Sequence, residues 1–196
     1  MKINEKELKL SLTRKQFLMI LNEYPELDYK IQTNYYYDTK SLWLFKNGYT
    51  VRIRVGKDGL GKLQIKTKRS SNTRYFDRDE YELLEKQDSI PLSIRVDDPK
   101  YKFPNLEIFS KNLKNQLLLL KGNMTTIRHK IQILQVECDL DESFFIGKRD
   151  FELEVEGSPN EIERVGLELE KRGLSKKSKE GKFSRMINAS KQEKII

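Results

Sequence analysis

In the stretch NEKELKLSL, residues 4–12, Glu5, Glu7 and Lys9 fall on alternate positions of one parity and Leu8, Leu10 and Leu12 on the other. Strand side chains alternate between two faces, so this spacing sets two carboxylates and an amine on one side. The pattern recurs along the chain. Arg52 and Arg54 oppose Val51, Ile53 and Val55; Gln64, Lys66 and Lys68 oppose Leu63 and Ile65; Glu80 and Glu82 oppose Tyr81 and Leu83. Further on, Thr126, Arg128 and Lys130 oppose Ile127 and Ile131, and Glu137, Asp139 and Asp141 oppose Val136, Cys138 and Leu140. Glu152, Glu154 and Glu156 oppose Phe151, Leu153 and Val155. Carboxylate strands suit a hard divalent cation, which takes oxygen ligands. Arginine and lysine strands suit phosphate oxygens. An interior holding both is a site for a metal–polyphosphate complex.

A sheet with one wet face ordinarily mixes Thr, Ser, Gln, Lys and Glu within each strand. Here most strands carry nearly one sign of charge, and like charges on neighbouring strands repel. A water-facing sheet has no reason to sort its charges in this way. A sheet rolled into a barrel with the charges inward does. The apolar faces then point outward and need helices as a cover, the inverse of the usual side-chain-packed barrel.

The remaining pattern supplies those helices. TRKQFLMILNEY reads as a short helix capped by Thr13, with Phe17, Ile20 and Leu21 on one stripe. SPNEIERVGLELEKRGL reads as another, with Ser158 as cap, Pro159 at its first position and Gly173 after it. LEIFSKNLKNQLLLLKG, residues 106–122, is expected to be a helix stopped by Gly122. IQTNYYYDT is expected to be a strand ending at Asp38-Thr39, and residues 86–105, with Pro91, Pro99 and Pro104, mostly loop. MTTIRHKIQILQVECDLDE reads as two strands, although no Gly or Pro marks a turn between them. His129 falls on an apolar, outward face, where packing suits it, and Cys138 reads as a small buried hydrophobe. The basic tail from residue 176 is expected to be partly helical. No linker or repeat divides the chain, so residues 1–196 read as a single domain.

Composition narrows the partner. Among 196 residues, 38 basic side chains outnumber 30 acidic ones and leave a net charge of +8, which suits an anionic ligand. The high acidic count argues against a nucleic-acid coat. One cysteine excludes an internal disulfide. No apolar run reaches membrane length and no signal peptide is evident, so the expected setting is cytoplasmic, without a membrane partner. GKDGLGK, residues 56–62, matches the spacing of a phosphate-binding loop, but Leu63 stands where Ser or Thr is required and a strand follows instead of a helix. It reads as a hairpin turn.

These residues resemble the CYTH family, the triphosphate tunnel metalloenzymes. EKELK at 5–9 is similar to the family's ExExK motif and YYDT at 36–39 to its second-strand motif. VRIR at 51–54, LQIK at 63–66, RDEYE at 78–82, Arg128, LDES at 140–143, FELEVE at 151–156 and KFSR at 182–185 follow in the family's order, over essentially the whole chain. The resemblance implies an α+β fold, an eight-stranded antiparallel β-barrel tunnel with a charged interior and flanking helices. It also implies binding of a small triphosphate with Mg²⁺ or Mn²⁺. Carried over by position, Glu5, Glu7, Glu152 and Glu154 match metal ligands, with Asp141 nearby; Glu80 and Glu82 match a second metal site or a water site. Lys9, Arg52, Arg54, Lys66, Arg128, Lys182 and Arg185 match a phosphate clamp. Thr126 stands where some members carry a lysine, which leaves a Lys9–Tyr36 pair as the expected activator of water. The implied activity is hydrolysis of inorganic tripolyphosphate. Rival activities are class IV-type adenylate cyclisation and thiamine triphosphate hydrolysis, and the non-enzymatic rival is a polyphosphate- or nucleotide-binding module.

Overall fold

Antiparallel pairing carries the sheet round until it meets itself. In the computed structural model the strands are β1 (Lys2–Leu12), β2 (Glu26–Asp38), β3 (Thr50–Val55), β4 (Gly61–Ser71), β5 (Phe76–Gln87), β6 (Ser93–Arg95), β7 (Leu117–Ile133), β8 (Val136–Phe145) and β9 (Lys148–Glu156). Their order is β2-β3-β4-β5-β1-β9-β8-β7, and β7 pairs back onto β2, closing an eight-stranded barrel. The short β6 adds to β7 at Leu117–Leu119 outside the closed ring. The structure describes residues 2–71, 76–87, 89–101, 103, 111–174 and 180–193, with side chains described for these except residues 2–3, 68–71, 76–78 and 83–87. The expected inward Lys68 and outward Leu83 side chains, and residues 106–110 of the expected helix, lie outside the described residues.

The apolar faces point outward, as the charge sorting requires. Leu8, Leu10, Ile131, Ile133, Cys138, Leu140, Leu153 and Val155 pack beneath helices α1 (Arg14–Glu23) and α3 (Pro159–Lys171), which contribute Phe17, Ile20, Ile162, Val165 and Leu169. Each such side chain, fully buried, contributes about 1.5–3 kcal/mol. Both helices begin as expected. Thr13 with Gln16, and Ser158 with Glu161, form reciprocal capping boxes. Across the barrel, Tyr37, Val51, Ile53, Leu63 and Ile65 pack with Ile94 of β6, with Tyr101 of the 3₁₀ turn Pro99–Tyr101, and with Leu113. His129 lies against Phe17 edge-on and pairs with Glu26, and Cys138 is 1% exposed.

Antiparallel order fixes two ends to the tunnel. The loop 56–60, the turn Leu134–Gln135 and the start of β2 share one end, here the turn end. At the other, the helix end, α2 (Trp43–Lys46) follows β2, and α4 (Lys182–Gln192) packs through Phe183, Met186 and Ile187 on Tyr36, Met124 and Phe145. Asp38 of the YYDT segment serves α2: its carboxylate accepts the backbone N–H groups of Leu44 and Phe45, each at 2.8 Å, and of Thr39 at 2.7 Å.

Two local features depart from expectation. Leu117–Leu120 belongs to β7, not to a helix. A short apolar run has no period that separates strand from helix, and pairing decides: Leu119 faces Asp38 on β2 and Ser93 on β6. Gly122 therefore stops no helix. It lies beside a register shift opposite Tyr36/Tyr37, at φ +148°, where a Cβ would come within 3.2 Å of Met186 Sδ. The missing turn signal between β7 and β8 has an equally local explanation. Leu134 and Gln135 both take left-handed angles, φ 48° and 64°, and make a two-residue hairpin without glycine. Left-handed conformation in ordinary residues costs on the order of 1 kcal/mol each. Replacing Leu134-Gln135 by Asn-Gly is therefore expected to raise the urea midpoint with an unchanged slope, as measured by equilibrium unfolding.

Candidate active site

Alternation along the strands delivers the charged side chains to one cavity of about 860 Å³ running through the barrel. Its lining includes Glu5, Glu7, Lys9, Tyr36, Arg52, Arg54, Lys66, Glu80, Arg128, Glu154 and Lys182. Of the other residues expected here, Glu82, Asp141, Glu152 and Arg185 do not line it. Glu82 is held near the rim by Gln64 Nε2 at 2.7 Å and Lys62 at 3.1 Å. Arg185 donates to Glu152 at 2.7 Å and pairs with Asp150 at 2.8 Å, so it positions the acidic strand β9 from behind. Asp141, 1% exposed, takes a bidentate pair from Arg128 at 2.7 and 2.6 Å. The β7–β8 register sets Arg128 opposite Asp141 and Lys130 opposite Asp139; Arg128 contacts both aspartates and Glu154.

Interior charges are matched into a lattice. Lys9 pairs with Glu154 and, at 3.1 Å, with Glu7. Lys66 bridges Glu5 at 2.6 Å and Glu80 at 2.5 Å. Lys182, the first residue of α4, reaches Asp141 at 2.7 Å, Glu154 at 2.9 Å and Glu152. Burial disfavours these charges; for Lys9, Lys182, Glu154 and Glu80 the partners outweigh it, whereas at Glu5 burial prevails and raises the carboxyl. Lys9 is held above the ordinary lysine value by Glu154, Glu7 and Glu152, and Lys182 higher still by Asp141, Glu152 and Glu154. Glu154 is held well below the carboxylate range by Lys182, Lys9 and Arg128, and Glu80 below it by Arg52 and Lys66. In this state Lys9 is a cation, not a base.

Carboxylates gather in three sets whose oxygens lie within 4.8 Å of one another: Glu5, Glu7 and Glu156; Asp139, Glu154 and Glu156; and Asp141, Glu152 and Glu154. Lys182 already occupies the third set. The first two share Glu156, which the alternation of β9 puts on the inward face but which the resemblance, matching Glu152 and Glu154, does not single out. Glu156 is accessible to solvent, yet desolvation together with Glu154, Glu5 and Glu7 pushes its carboxyl up to about 7. Glu137, Asp139, Lys30, Gln32 and Lys130 also line the tunnel. The Thr126 hydroxyl, at the position of the absent lysine, is bonded to Ser143 Oγ at 3.0 Å.

The sequence model described as the CYTH domain matches residues 4–186. No curated protein matches the chain. A candidate adenylate cyclase from Bacillus halodurans is 24% identical with a TM-score of 0.69, over 94% of this chain and 97% of its own. A candidate adenylyl cyclase from Hippeastrum, reported with a dominant triphosphatase activity, is 18% identical with the same TM-score, 0.69, over 94% of this chain and 95% of its own. The PH1819 protein from Pyrococcus horikoshii is 18% identical with a TM-score of 0.63, over 94% of this chain and 98% of its own. These likenesses are of fold. No helix among the described residues is long and apolar enough to cross a membrane.

The lattice makes a prediction about stability. Lys182→Met strands Asp141, Glu152 and Glu154 without their shared cation, which is expected to cost about 3–5 kcal/mol at pH 7. Asp141 and Glu154 have depressed values in the fold, so their contribution is present above the unfolded carboxylate values, about 4, and is lost as pH falls through the folded ones. The gap between wild type and variant should accordingly narrow below about pH 4, as urea unfolding with chelator present would show.

Proposed function

The chain belongs to the CYTH family, and on that premise we propose that it hydrolyses a small triphosphate, inorganic tripolyphosphate first, with Mg²⁺ or Mn²⁺. The observation that carries this is the division of the tunnel. Carboxylate sets converge on one side, and cationic donors stand on the β2–β3 wall, where Arg52 Nη2, Asn34 Nδ2 and Tyr36 Oη are buried without a hydrogen-bond partner among the described residues. Buried donors left unmatched are costly, and phosphate oxygens would satisfy them. The sets Glu5–Glu7–Glu156 and Asp139–Glu154–Glu156 are all-oxygen donors, the chemistry that fits Mg²⁺ or Mn²⁺. A divalent cation bound there supplies charge neutralisation at the phosphate oxygens.

The chain's own groups do the rest. Arg52, Arg54, Lys66 and Arg128 hold the phosphates in line, and Lys9 and Lys182 add positive charge from the opposite wall. Glu80 fixes Lys66 and stands 3.6 Å from Arg52, which keeps both cations in place. Arg185 acts through Glu152. Because Lys9 is held as a cation, general-base work passes to Tyr36, whose ring stacks on Phe183 at 5.0 Å and whose hydroxyl has no hydrogen-bond partner among the described residues. The same clamp would serve class IV-type cyclisation or thiamine triphosphate hydrolysis, but both need room for a ring. The donors left unmatched on the β2–β3 wall suit phosphate oxygens, which favours the inorganic substrate. Intact carboxylate sets argue against a pure polyphosphate- or nucleotide-binding module.

Incubation with tripolyphosphate, ATP and thiamine triphosphate, each with Mg²⁺ or Mn²⁺, tests the reading by product identification; turnover should require metal and be lost with chelator. Retention of hydrolysis in chelator would overturn it. Metal binding should also release a proton below pH 7, because Glu156, raised to about 7, must ionise to become a ligand. Apparent affinity therefore rises with pH through that range, and calorimetry in buffers of different ionisation enthalpy should find the proton in wild type and not in Glu156→Gln. Tyr36→Phe should lower kcat by roughly 10²–10⁴-fold with KM little changed; kcat near wild type would remove Tyr36 from the chemistry.

A further inference from the structure

Helices and the β6 segment cover most of the outward apolar surface of the barrel, and one stretch of wall is left bare among the described residues. The first half of β2 turns Leu27, Tyr29 and Ile31 to solvent, and Ile31 pairs with Ile127 of β7. Thr33 and Thr125, bonded through their hydroxyls at 3.0 Å, continue the face, and Phe144 of β8 lies opposite Thr125. Leu27, Tyr29, Ile31, Ile127 and Phe144 join none of the packed clusters beneath α1, α3, α4 or β6. None of them lines the tunnel.

Single apolar side chains on a surface are ordinary, whereas a contiguous patch marks a contact. Leu27, Tyr29, Ile31 and Phe144 are 37% to 51% exposed, which at about 200 Å² for a large side chain leaves roughly 370 Å² open. A standard interface takes about 800 Å² from each partner, of which roughly 55–65% is apolar. The four side chains, with Ile127 beside them, therefore supply most of the apolar share of a stable dimer. Carboxylates at the edge are already matched: Glu142 pairs with Arg149, whose guanidinium lies over the Phe144 ring, and Glu26 pairs with His129.

The face is also self-complementary. A two-fold axis through the middle of the Ile31–Ile127 pair lays Ile31 of one copy on Ile127 of the other. The same rotation lays Tyr29 on Thr125 and the adjoining Phe144 of the second copy. The two tunnels then run antiparallel, and because the face is barrel wall, both mouths of each stay open. We propose that this β2–β7–β8 face joins two copies of the chain in a symmetric dimer, with Ile31 and Ile127 at its centre and Tyr29 against Phe144 on either side. The proposal is independent of the hydrolytic reading.

Sedimentation equilibrium at micromolar concentration tests it. Wild type should give twice the chain mass of 23.3 kDa, in high salt as in low, because an apolar contact is not screened. Tyr29→Ala and Phe144→Ala should each raise the dimer dissociation constant about tenfold or more. Within one copy the two side chains stand roughly 15 Å apart, two strand spacings across and four residues along, too far to couple. Across the axis they meet, so the double variant should be little weaker than either single one. Leu167→Gln, which removes an exposed leucine from α3, should match wild type. Circular dichroism and the urea midpoint check that each variant folds, and Ile31→Thr, which keeps a β-branched side chain at the centre, replaces any alanine variant that does not. A monomeric wild type, a dimer that none of these face variants weakens, or losses that multiply in the double variant would each overturn the interface.

Discussion

Burying this many charges inside a barrel is tolerable only if they compensate one another. Desolvating an isolated carboxylate or ammonium costs several kcal/mol even after relaxation. Arg128 alone meets Asp139, Asp141 and Glu154, and Lys182 meets Asp141, Glu152 and Glu154. The outer architecture follows from that constraint. With ions on the inside, the apolar faces look outward, and α1 and α3 must cover Leu10, Leu140, Leu153 and Val155 to keep them from water. The helices are therefore a structural requirement of the polar interior.

Compensation is uneven, and the unevenness is where ligands belong. Near the helix end the third carboxylate set is matched by Lys182 and Arg185, both from α4. Toward the turn end, Glu156 is raised by its neighbours, while Lys30 and Arg54 lack carboxylate partners among the described residues. Excess negative charge on one wall and excess positive charge on the other suit a metal–phosphate complex, which presents both signs at once.

The period-two pattern made the barrel legible, because nearly every inward charge, Glu5 excepted, has an apolar residue beside it in the sequence. The capped helices were legible through Thr13 and Ser158. What escaped were features with no local period. Leu117–Leu120 carries four leucines, which helix and strand accommodate alike, and its partners lie on β2 and β6. Leu134-Gln135 turns without a turn residue because the flanking ladder from Ile133–Val136 inward imposes the geometry. Among the charged residues the face was legible but the depth was not. Glu152, Glu154 and Glu156 alternate identically, yet only the pairing of Glu7 with Glu156 and of Ser11 with Glu152 tells which end of the tunnel each occupies. Asp38 shows the same limit: its role as an acceptor for the N–H groups of α2 depends on where the chain turns after it.

Strand β1 has a consequence for how the chain reaches this state. Its first half pairs with β5 and its second half with β9, from Lys2 opposite Tyr81 to Leu12 opposite Phe151. A ribosome finishes β1 long before either partner exists. Until residue 156 has emerged, the ring is a curved sheet with open edges, and Glu5, Glu7 and Lys9 remain in water. Contacts of such long sequence separation slow folding, and unpaired edges expose a growing chain to wrong partners. The last strand of the barrel to be synthesised, β9, is the keystone, and the charged walls of the tunnel face one another only once it is in place.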